Sequence, residues 1–452
     1  MKQKLLGIKR TVMFLTTCMI LLMTTLTFYS VWNNYYSNSI VLPFYYKGNI
    51  LVVIVYAILL YVFTKIYSGY KVGVLKFSEL VYSQILSLLF VNAITYLQIS
   101  LIGRRFLDIR PMLYMTFFQV IIIIGWAYLT NKLYFYIYPP RNTVLVYGDK
   151  EDYDVLKKIN LHKEKFNICS MISISEGIKN IFETLKDCEA VVLSGLELLD
   201  RDKIVKYCYD RSIRVYIVPN IQDVIINNSD TIHLFDTPML LLRNRGLSIE
   251  NKFAKRTIDL ILSLLAIIVT SPIMIIVALL IKMYDGGPAL FKQKRLTIDG
   301  KIFDVYKFRS MIVDAEKDGV ARLASKNDNR ITPIGKFIRK VRLDELPQLL
   351  NILKGDMSIV GPRPERPEIA EEYGKVMPEF SYRLKVKAGL TGYAQILGKY
   401  NTTPKDKLLL DLMYIEKYSL FLDFKLMLMT IKILFMSEST EGVDEGNILP
   451  EK

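Results

Sequence analysis

Apolar residues gather in long runs over the first 134 positions and in shorter alternating segments after them. Runs near 12–32, 50–67, 80–99 and 112–131 each have about the 20 residues that carry a helix across a bilayer. They predict a four-helix transmembrane bundle over 1–134. The first run lacks a small-residue cleavage site and further runs follow it, so it reads as a retained helix rather than a secretory leader. Lys2, Lys4, Lys9 and Arg10 place the N-terminus on the cytoplasmic side, and Lys71 and Lys76 do the same for the second loop. Arg104, Arg105 and Arg110, offset only by Asp108, fall on the opposite side in this topology.

From 141 to 247 the pattern changes to an α/β one. Thr143–Tyr147 reads as a strand ending at Gly148, 152–160 as a helix, and strand-like runs recur at Phe166–Met171, Ala190–Leu193 and Val215–Val218. Strands alternating with helices predict a parallel, Rossmann-like sheet. The nucleotide fingerprint is absent: after Gly148 the chain reads Asp149-Lys150-Glu151-Asp152, and acids there repel a pyrophosphate at a helix N-terminus.

Residues 257–283 form a further run long enough to span, broken near its middle by Ser271-Pro272. Proline removes a helix hydrogen bond, and a serine hydroxyl can satisfy the freed backbone group. Lys252, Lys255 and Arg256 flank one end, and Lys282 and Lys292 the other. Positive charge at both ends suits a segment that enters and leaves on the cytoplasmic face. A spanning helix would strand the rest of the chain outside the cell. The expectation is therefore a re-entrant hairpin broken at Ser271 and Pro272. A last apolar stretch, 421–436, is too short to span and is cut by Asp423, Lys425 and Lys432. It reads as an interfacial helix with snorkelling lysines, or as a core helix.

Composition narrows the class. The 452 residues are 52% hydrophobic with a mean hydropathy of +0.26, high for a soluble chain. A net charge of +15 calls for an anionic partner such as lipid headgroups or phosphorylated substrates. No nucleic-acid-binding motif accompanies it, so nucleic acid is not expected as a partner. Cys18, Cys169, Cys188 and Cys208 are scattered with no Cys-x-x-Cys pair, and the two histidines, His162 and His233, complete no zinc-ligand spacing, which argues against zinc. A metal, if one is used, needs oxygen ligands.

The chemistry concentrates in 342–364: Arg342-Leu343-Asp344-Glu345-Leu346-Pro347-Gln348, then Lys354-Gly355-Asp356-Met357-Ser358, then Gly361-Pro362-Arg363-Pro364. Adjacent carboxylates can hold a divalent metal or supply an oxyanion nucleophile. An arginine fixed between prolines suits a phosphate clamp. The same letters also describe a helix start, with Asp344 as N-cap, Pro347 in the first turn, Leu346, Leu349, Leu350 and Leu353 on one face, and Gly355 as the stop. Spacing alone does not decide which acid does which job.

The ordered set of motifs resembles the bacterial sugar transferases, the polyprenyl-phosphate hexose-1-phosphate transferases, over about 250–436. It runs from Lys255-Arg256-x-x-Asp259 and Ser271-Pro272 through Gly287-Pro288-Ala289-Leu290-Phe291-Lys292-Gln293-Lys294-Arg295 and Gly300-Lys301-x-Phe303-x-x-Tyr306-Lys307-Phe308-Arg309-Ser310-Met311. Asp328-Asn329-Arg330-Ile331-Thr332 then leads into the block above, and Gly389-Leu390-Thr391-Gly392-Tyr393-Ala394-Gln395 follows it. Thr297, Asn329 and Ala388 stand where the family usually has Gly, Pro and often Pro; these departures bear on loop geometry, not on charged positions.

The resemblance implies a membrane protein of three parts: an α-helical bundle (1–134), an α/β Rossmann-like module (141–247) associated with oligomerisation, and a mainly helical monotopic catalytic domain (250–436) with a re-entrant helix, followed by a tail (437–452). It implies transfer of a sugar 1-phosphate from a UDP-sugar to polyprenyl (undecaprenyl) phosphate with release of UMP. That step initiates exopolysaccharide, capsule or other surface-glycan synthesis at the bacterial plasma membrane, with the catalytic domain facing the cytoplasm. Asp344 resembles the nucleophile of an aspartyl intermediate, Glu345 the Mg²⁺ ligand, and Arg363 the phosphate clamp. Lys307, Arg309, Arg330 and Arg339 are candidate contacts to the diphosphate or the lipid phosphate. Lys255, Arg256, Lys292, Lys294 and Lys301 touch either solvent or lipid, Arg256 is the expected partner of Asp259, and Gln293 and Gln348 read as orienting. The implied partners are a UDP-sugar (UDP-glucose or UDP-galactose first), polyprenyl phosphate, the lipid bilayer and a second copy in a homo-oligomer, a dimer. The alternatives are a membrane-tethered nucleotide-sugar dehydratase or epimerase and a non-enzymatic scaffold. The first needs an NAD fingerprint and a usable Tyr-x-x-x-Lys, and Tyr153 and Lys157 fall in the module's first helix. The second has no use for the carboxylate and arginine motifs.

Overall fold

The structure, a computed structural model, describes residues 2–40, 43–148, 165–242, 246–313, 328, 330–398 and 402–434, with the side chains of 2–9 left aside. The helix expected at 152–160, Asn329 and the 437–452 tail lie outside these. The chain divides into two compact units, Met1–Pro219 and Asn220–Lys452.

The first unit opens with α1 (Lys2–Val31), α2 (Tyr46–Ile66), α3 (Phe77–Ile102) and α4 (Arg110–Ile137). Each has the length and apolarity to cross a membrane. Their outward faces are apolar, with Leu22, Leu51, Leu97 and Phe117 among the exposed side chains. The bundle interior carries a polar knot to which every helix contributes. Asn92 donates to Thr116 Oγ1 at 2.8 Å and Gln119 Oε1 at 3.0 Å, and accepts from Tyr56 at 2.9 Å. Gln119 donates to Thr27 Oγ1 at 2.8 Å and the Thr24 carbonyl at 2.9 Å. A polar group with no water available must be satisfied by its neighbours, so this knot fixes the register of the four helices. Arg110 is paired with Asp108 at 2.8 Å, which neutralises one charge of the discordant loop.

After the bundle come β1 (Arg141–Tyr147), β2 (Phe166–Ser173), α5 (Ile178–Leu185), β3 (Ala190–Ser194), α6 (Leu198–Asp210) and β4 (Arg214–Ile217). All neighbouring strands are parallel, in the order β2-β1-β3-β4. Val144, Val146, Val191 and Leu193 bury against Ile181 and Leu185 of α5 and Ile204 of α6. That is the alternation the sequence predicts. The expected module boundary at 247 lies beyond this sheet: 220–247 belongs with the second compact unit.

The second unit begins with α7 (Ile221–Ile226) and an exposed hairpin of β5 (Asp230–Leu234) and β6 (Thr237–Leu241). Then follow α8 (Ile249–Asp285), an antiparallel pair β7 (Leu290–Leu296) and β8 (Ile302–Phe308), and α9 (Pro333–Lys340). The remainder is α10 (Gln348–Lys354), β9 (Ser358–Val360), α11 (Pro367–Val376), β10 (Gly389–Thr391), α12 (Tyr393–Leu397), α13 (Pro404–Glu416) and α14 (Leu420–Leu434), with β9 and β10 parallel.

Helix α8 runs without interruption through Ser271 and Pro272, where the sequence predicts the break between two hairpin arms. The reason is local. Pro272 leaves the Ile268 carbonyl without its helical donor, and Ser271 Oγ donates to that oxygen at 3.0 Å. One stripe of α8, including Lys255, Asp259, Ser263, Val277 and Ile281, is buried, while Ile268, Val269 and Ile276 on other faces are exposed. Ala266 and Ile267 from the first half pack with Val305 and Ile352, and Met274 and Val277 from the second half pack with Phe308 and Ile338. Leu346 belongs to both clusters.

Helix α14 packs one face into the core, the second of the two readings, and leaves Phe421 and Phe424 exposed on the other. Leu426 is buried among Val360, Val386 and Tyr414, and Asp423 and Lys432 are buried too. Asp423 is tolerated because Lys255 Nζ lies 2.6 Å from it and Tyr414 donates to it at 2.8 Å.

Candidate active site

Arg342 adopts the left-handed conformation (φ 55°) after α9, and Leu343–Glu345 form a short 3₁₀ turn. Pro347, not Asp344, then occupies the N-cap of α10, with no side-chain cap bond. Asp344 is therefore not spent on capping. Leu346 and Leu349 anchor the turn in the core, and left-handed Gly355 ends the helix as the sequence predicts. The buried face of α10 is Leu349 and Ile352 with the amide Asn351, while Leu350 is exposed. Asn351 accepts from the Tyr306 N–H at 2.9 Å and donates to the Asp304 carbonyl at 2.8 Å. It acts as a one-residue extension of the β7–β8 ladder and fixes the height of Lys307 on β8.

Lys307 Nζ lies 3.3 Å from Glu345 Oε1, and Arg363 Nη2 lies 2.9 Å from the same oxygen. Oε2 of Glu345 and both oxygens of Asp344 take no hydrogen bond among the described residues. The two acids thus diverge. Burial by itself raises Glu345, but Arg363, then Lys307 and Arg342, more than offset it and hold the carboxyl well below the usual range. Asp344 is raised, first by burial and then by the charge of Glu345, against weaker pulls from Lys307, Arg339 and Arg363. Lys307 is lowered by burial against the opposing pull of Glu345. Adjacent carboxylates pushed apart in this way suit one group that stays ionised as an electrostatic anchor and one that is a stronger base and nucleophile.

The Gly361-Pro362-Arg363-Pro364 turn is held by its backbone. Gly361 N–H donates to the Thr391 carbonyl and Gly389 N–H to the Pro362 carbonyl, both at 2.8 Å. A Cβ on Gly389 would sit 2.1 Å from Gly361 N, and one on Gly392 would sit 2.1 Å from Gly361 O. The two glycine motifs read separately in the sequence therefore pack backbone against backbone. Arg383 donates to the Arg363 carbonyl at 2.9 Å and Arg295 to the Pro364 carbonyl at 3.1 Å. A cavity of about 260 Å³ adjoins this turn, lined by Pro362, Arg363, Glu365, Phe380 and Arg383 among others; Asp344 and Glu345 do not line it.

Just beyond the turn lies a cluster that sequence reasoning missed. Glu365 receives Lys407 at 2.9 Å, Arg383 at 3.5 Å and Arg295 at 3.9 Å. Arg383 also pairs with buried Asp411 at 2.7 Å. Burial raises Glu365, but Lys407 and Arg383 outweigh it and bring the carboxyl down to about 2. A depressed carboxyl adds stability above its unfolded pKa, roughly 4.3, and loses it as pH falls through the folded value. Stability of the second unit should therefore fall between about pH 4 and pH 2. Glu365→Gln should flatten that dependence and cost on the order of 3 kcal/mol at neutral pH, because it leaves buried cations with a neutral acceptor. Denaturant unfolding as a function of pH measures both. The signal available in the sequence was the acid directly after Pro364.

The other predicted cations differ. Arg309 is buried and paired with Asp285, and Arg330 is paired with Asp328 at 2.6 Å, so both are engaged by acids of their own. Arg339 lowers the Asp344 carboxyl, and its Nη1 is buried without a hydrogen-bond partner among the described residues. Lys255 is buried rather than solvated, while Lys292, Lys294 and Lys301 are exposed. Asp259 does not pair with Arg256; it accepts the Ile359 N–H at 3.0 Å. Gln293 accepts from Arg295 at 2.6 Å, and Gln348 is buried.

The donor set suits a hard divalent cation. Among the described residues no group of three or more His, Cys, Asp or Glu gathers, but Mg²⁺ needs only one or two carboxylates beside substrate phosphates and water. The uncommitted oxygens of Asp344 and Glu345 meet that need.

With this geometry in hand, comparison with known proteins is specific. The profile of the family described as "Bacterial sugar transferase" matches residues 250–437. A UDP-glucose:undecaprenyl-phosphate glucose-1-phosphate transferase of Escherichia coli (strain K12) is 35% identical over 259 residues, 56% of this chain and 54% of the relative. An undecaprenyl-phosphate galactose phosphotransferase of Salmonella typhimurium is 36% identical over 236 residues, 49% of each chain. An uncharacterized sugar transferase of Haemophilus influenzae is 30% identical over 328 residues, 65% of this chain and 69% of the relative. The chain belongs to the bacterial sugar transferase family. It spans about half the length of the first relatives it matches.

Proposed function

We propose that the protein transfers a hexose 1-phosphate from a UDP-sugar to a polyprenyl phosphate, releases UMP, and so begins a surface glycan. The observation that carries this reading is the Asp344–Glu345 pair with Lys307 and Arg363 both on Glu345 Oε1: a free carboxylate beside fixed cations. In the first step an Asp344 oxygen attacks the sugar-bearing phosphorus of the donor. The bond from that phosphorus to the bridging oxygen breaks, and UMP leaves with the electron pair. In the second step a lipid phosphate oxygen attacks the same phosphorus and the Asp344 carboxylate leaves. Lys307, Arg339 and Arg363 supply positive charge where the phosphoryl oxygens gather negative charge. The cofactor fitting this donor set is Mg²⁺ at Glu345, which when bound neutralises charge on the diphosphate. A screen of UDP-sugars with polyprenyl phosphate, scored for UMP, tests the reading. Two of the three relatives above carry names with glucose and galactose, so UMP from UDP-glucose or UDP-galactose is expected; no UMP from any UDP-sugar refutes the reading.

The same reading places α8 as a re-entrant membrane helix that bends at Pro272 rather than breaking there, with both ends and the catalytic unit on the cytoplasmic side and the protein in the bacterial plasma membrane as a dimer. Its support is the basic residues at both ends of the run and the packing of both halves of α8 against Leu346. Cysteines introduced by Lys252→Cys and Tyr284→Cys should react with an impermeant thiol reagent from the cytoplasmic face only; labelling of one from each face contradicts the hairpin.

A further inference from the structure

The first three turns of α8 touch both flanks of the catalytic loop. Arg256 donates Nη1 to the Ile352 carbonyl at 2.6 Å and Nη2 to the Leu353 carbonyl at 2.8 Å, capping the C-terminal end of α10. The N-terminal approach to α10 carries Asp344 and Glu345. One turn further along α8, Asp259 accepts the Ile359 N–H at 3.0 Å. Ile359 lies in β9, which runs directly into Gly361-Pro362-Arg363. Lys387 completes the junction by donating to the Gly355 carbonyl at 2.7 Å. Asp259 is 5% exposed and Arg256 spends its planar fork on two last-turn carbonyls, a bidentate contact no lysine reproduces.

We propose that Arg256 and Asp259 are positioning residues for catalysis. Arg256 acts through α10 to place the carboxylates, and Asp259 acts through β9 to place Arg363. The gap between nucleophile and clamp is thus set by one face of the apolar helix α8 rather than by the loop that carries them. Neither residue touches the reacting atoms. Misplacing a clamp by about 1 Å costs ~100-fold in rate, so a positioning role should appear in kcat, whereas a purely structural role should appear in stability alone. This inference rests on the proposed transfer reaction for its kinetic readout.

The test uses the full chain in lipid vesicles with UDP-glucose and polyprenyl phosphate, on variants Arg256→Lys, Asp259→Leu and Asp259→Asn, the last keeping an acceptor oxygen. Asp259→Leu should lower kcat ~10–100-fold at an unchanged KM for the donor, and Asp259→Asn should restore most of it. Hydrogen exchange at the Ile359 amide should speed up in Asp259→Leu and stay slow in Asp259→Asn, a readout independent of turnover. Double-mutant cycles should split by flank: Asp259→Leu non-additive with Arg363→Lys, Arg256→Lys non-additive with Glu345→Gln, and the crossed pairs additive. If the wild type releases no UMP, the reaction assigned above fails. If the wild type is active and Asp259→Leu keeps its kcat, or if Asp259→Asn is as impaired as Asp259→Leu, the positioning role is wrong. Additivity within both same-flank pairs also overturns it.

Discussion

Asp344→Asn should abolish UMP release and leave no labelled sugar phosphate on the protein. The substitution keeps shape and removes the oxyanion. The wild-type side chain takes no hydrogen bond among the described residues, and its carboxyl is raised by burial and by Glu345, so its ionised form is a burden on the fold. The variant should therefore fold at least as stably as wild type. Loss of a nucleophile removes an interaction made only on the way to the transition state, so kcat and kcat/KM should fall together, by ~10⁴-fold or more. Steady-state kinetics, acid-quenched trapping with labelled donor and denaturant unfolding are to be measured side by side. A folded variant that still releases UMP would remove Asp344 from the nucleophile's role and leave direct in-line attack by the lipid phosphate.

The second large effect is expected at Arg363. Its guanidinium contacts Glu345, and its side chain remains 40% exposed, open to a substrate oxygen. Lysine offers a point charge in place of a planar fork. Arg363→Lys should lower kcat/KM ~100-fold or more, the scale seen when one donor to a developing oxyanion is removed. Stability should change little, because the turn is held by Gly361, Pro362, Arg383 and Arg295 through the backbone. An Arg363→Lys enzyme with wild-type kcat/KM would show that the clamp lies elsewhere, with Arg339 the next candidate.

Much of the fold was legible because it rests on periodicity. The four bundle helices and strands β1 to β4 follow directly from runs and alternations of apolar residues. The heart of the site was legible because its members lie within one short stretch, 342–364. What was hidden depends on contacts made far along the chain. Asp423 and Lys432 looked like surface charges in a short apolar run, and only the fold brings Lys255 to Asp423. Spacing pairs Asp259 with the arginine three residues back, yet its partner is a backbone N–H on β9. Glu365, Arg383, Lys407 and Asp411 form one buried charge cluster from three separate segments. No spacing rule connects them. Ser271-Pro272 reads in the sequence as a break, yet the serine hydroxyl donates to the carbonyl that proline frees and the helix continues through it.

The central claim concerns which bond of the donor is cut. UDP-glucose labelled in the phosphate next to the sugar, supplied with polyprenyl phosphate and the protein in vesicles, separates the possibilities in one extraction. Transfer of a sugar 1-phosphate carries the label into the lipid phase and leaves UMP unlabelled in water. Label retained in soluble UDP, with only the sugar reaching the lipid, would contradict it.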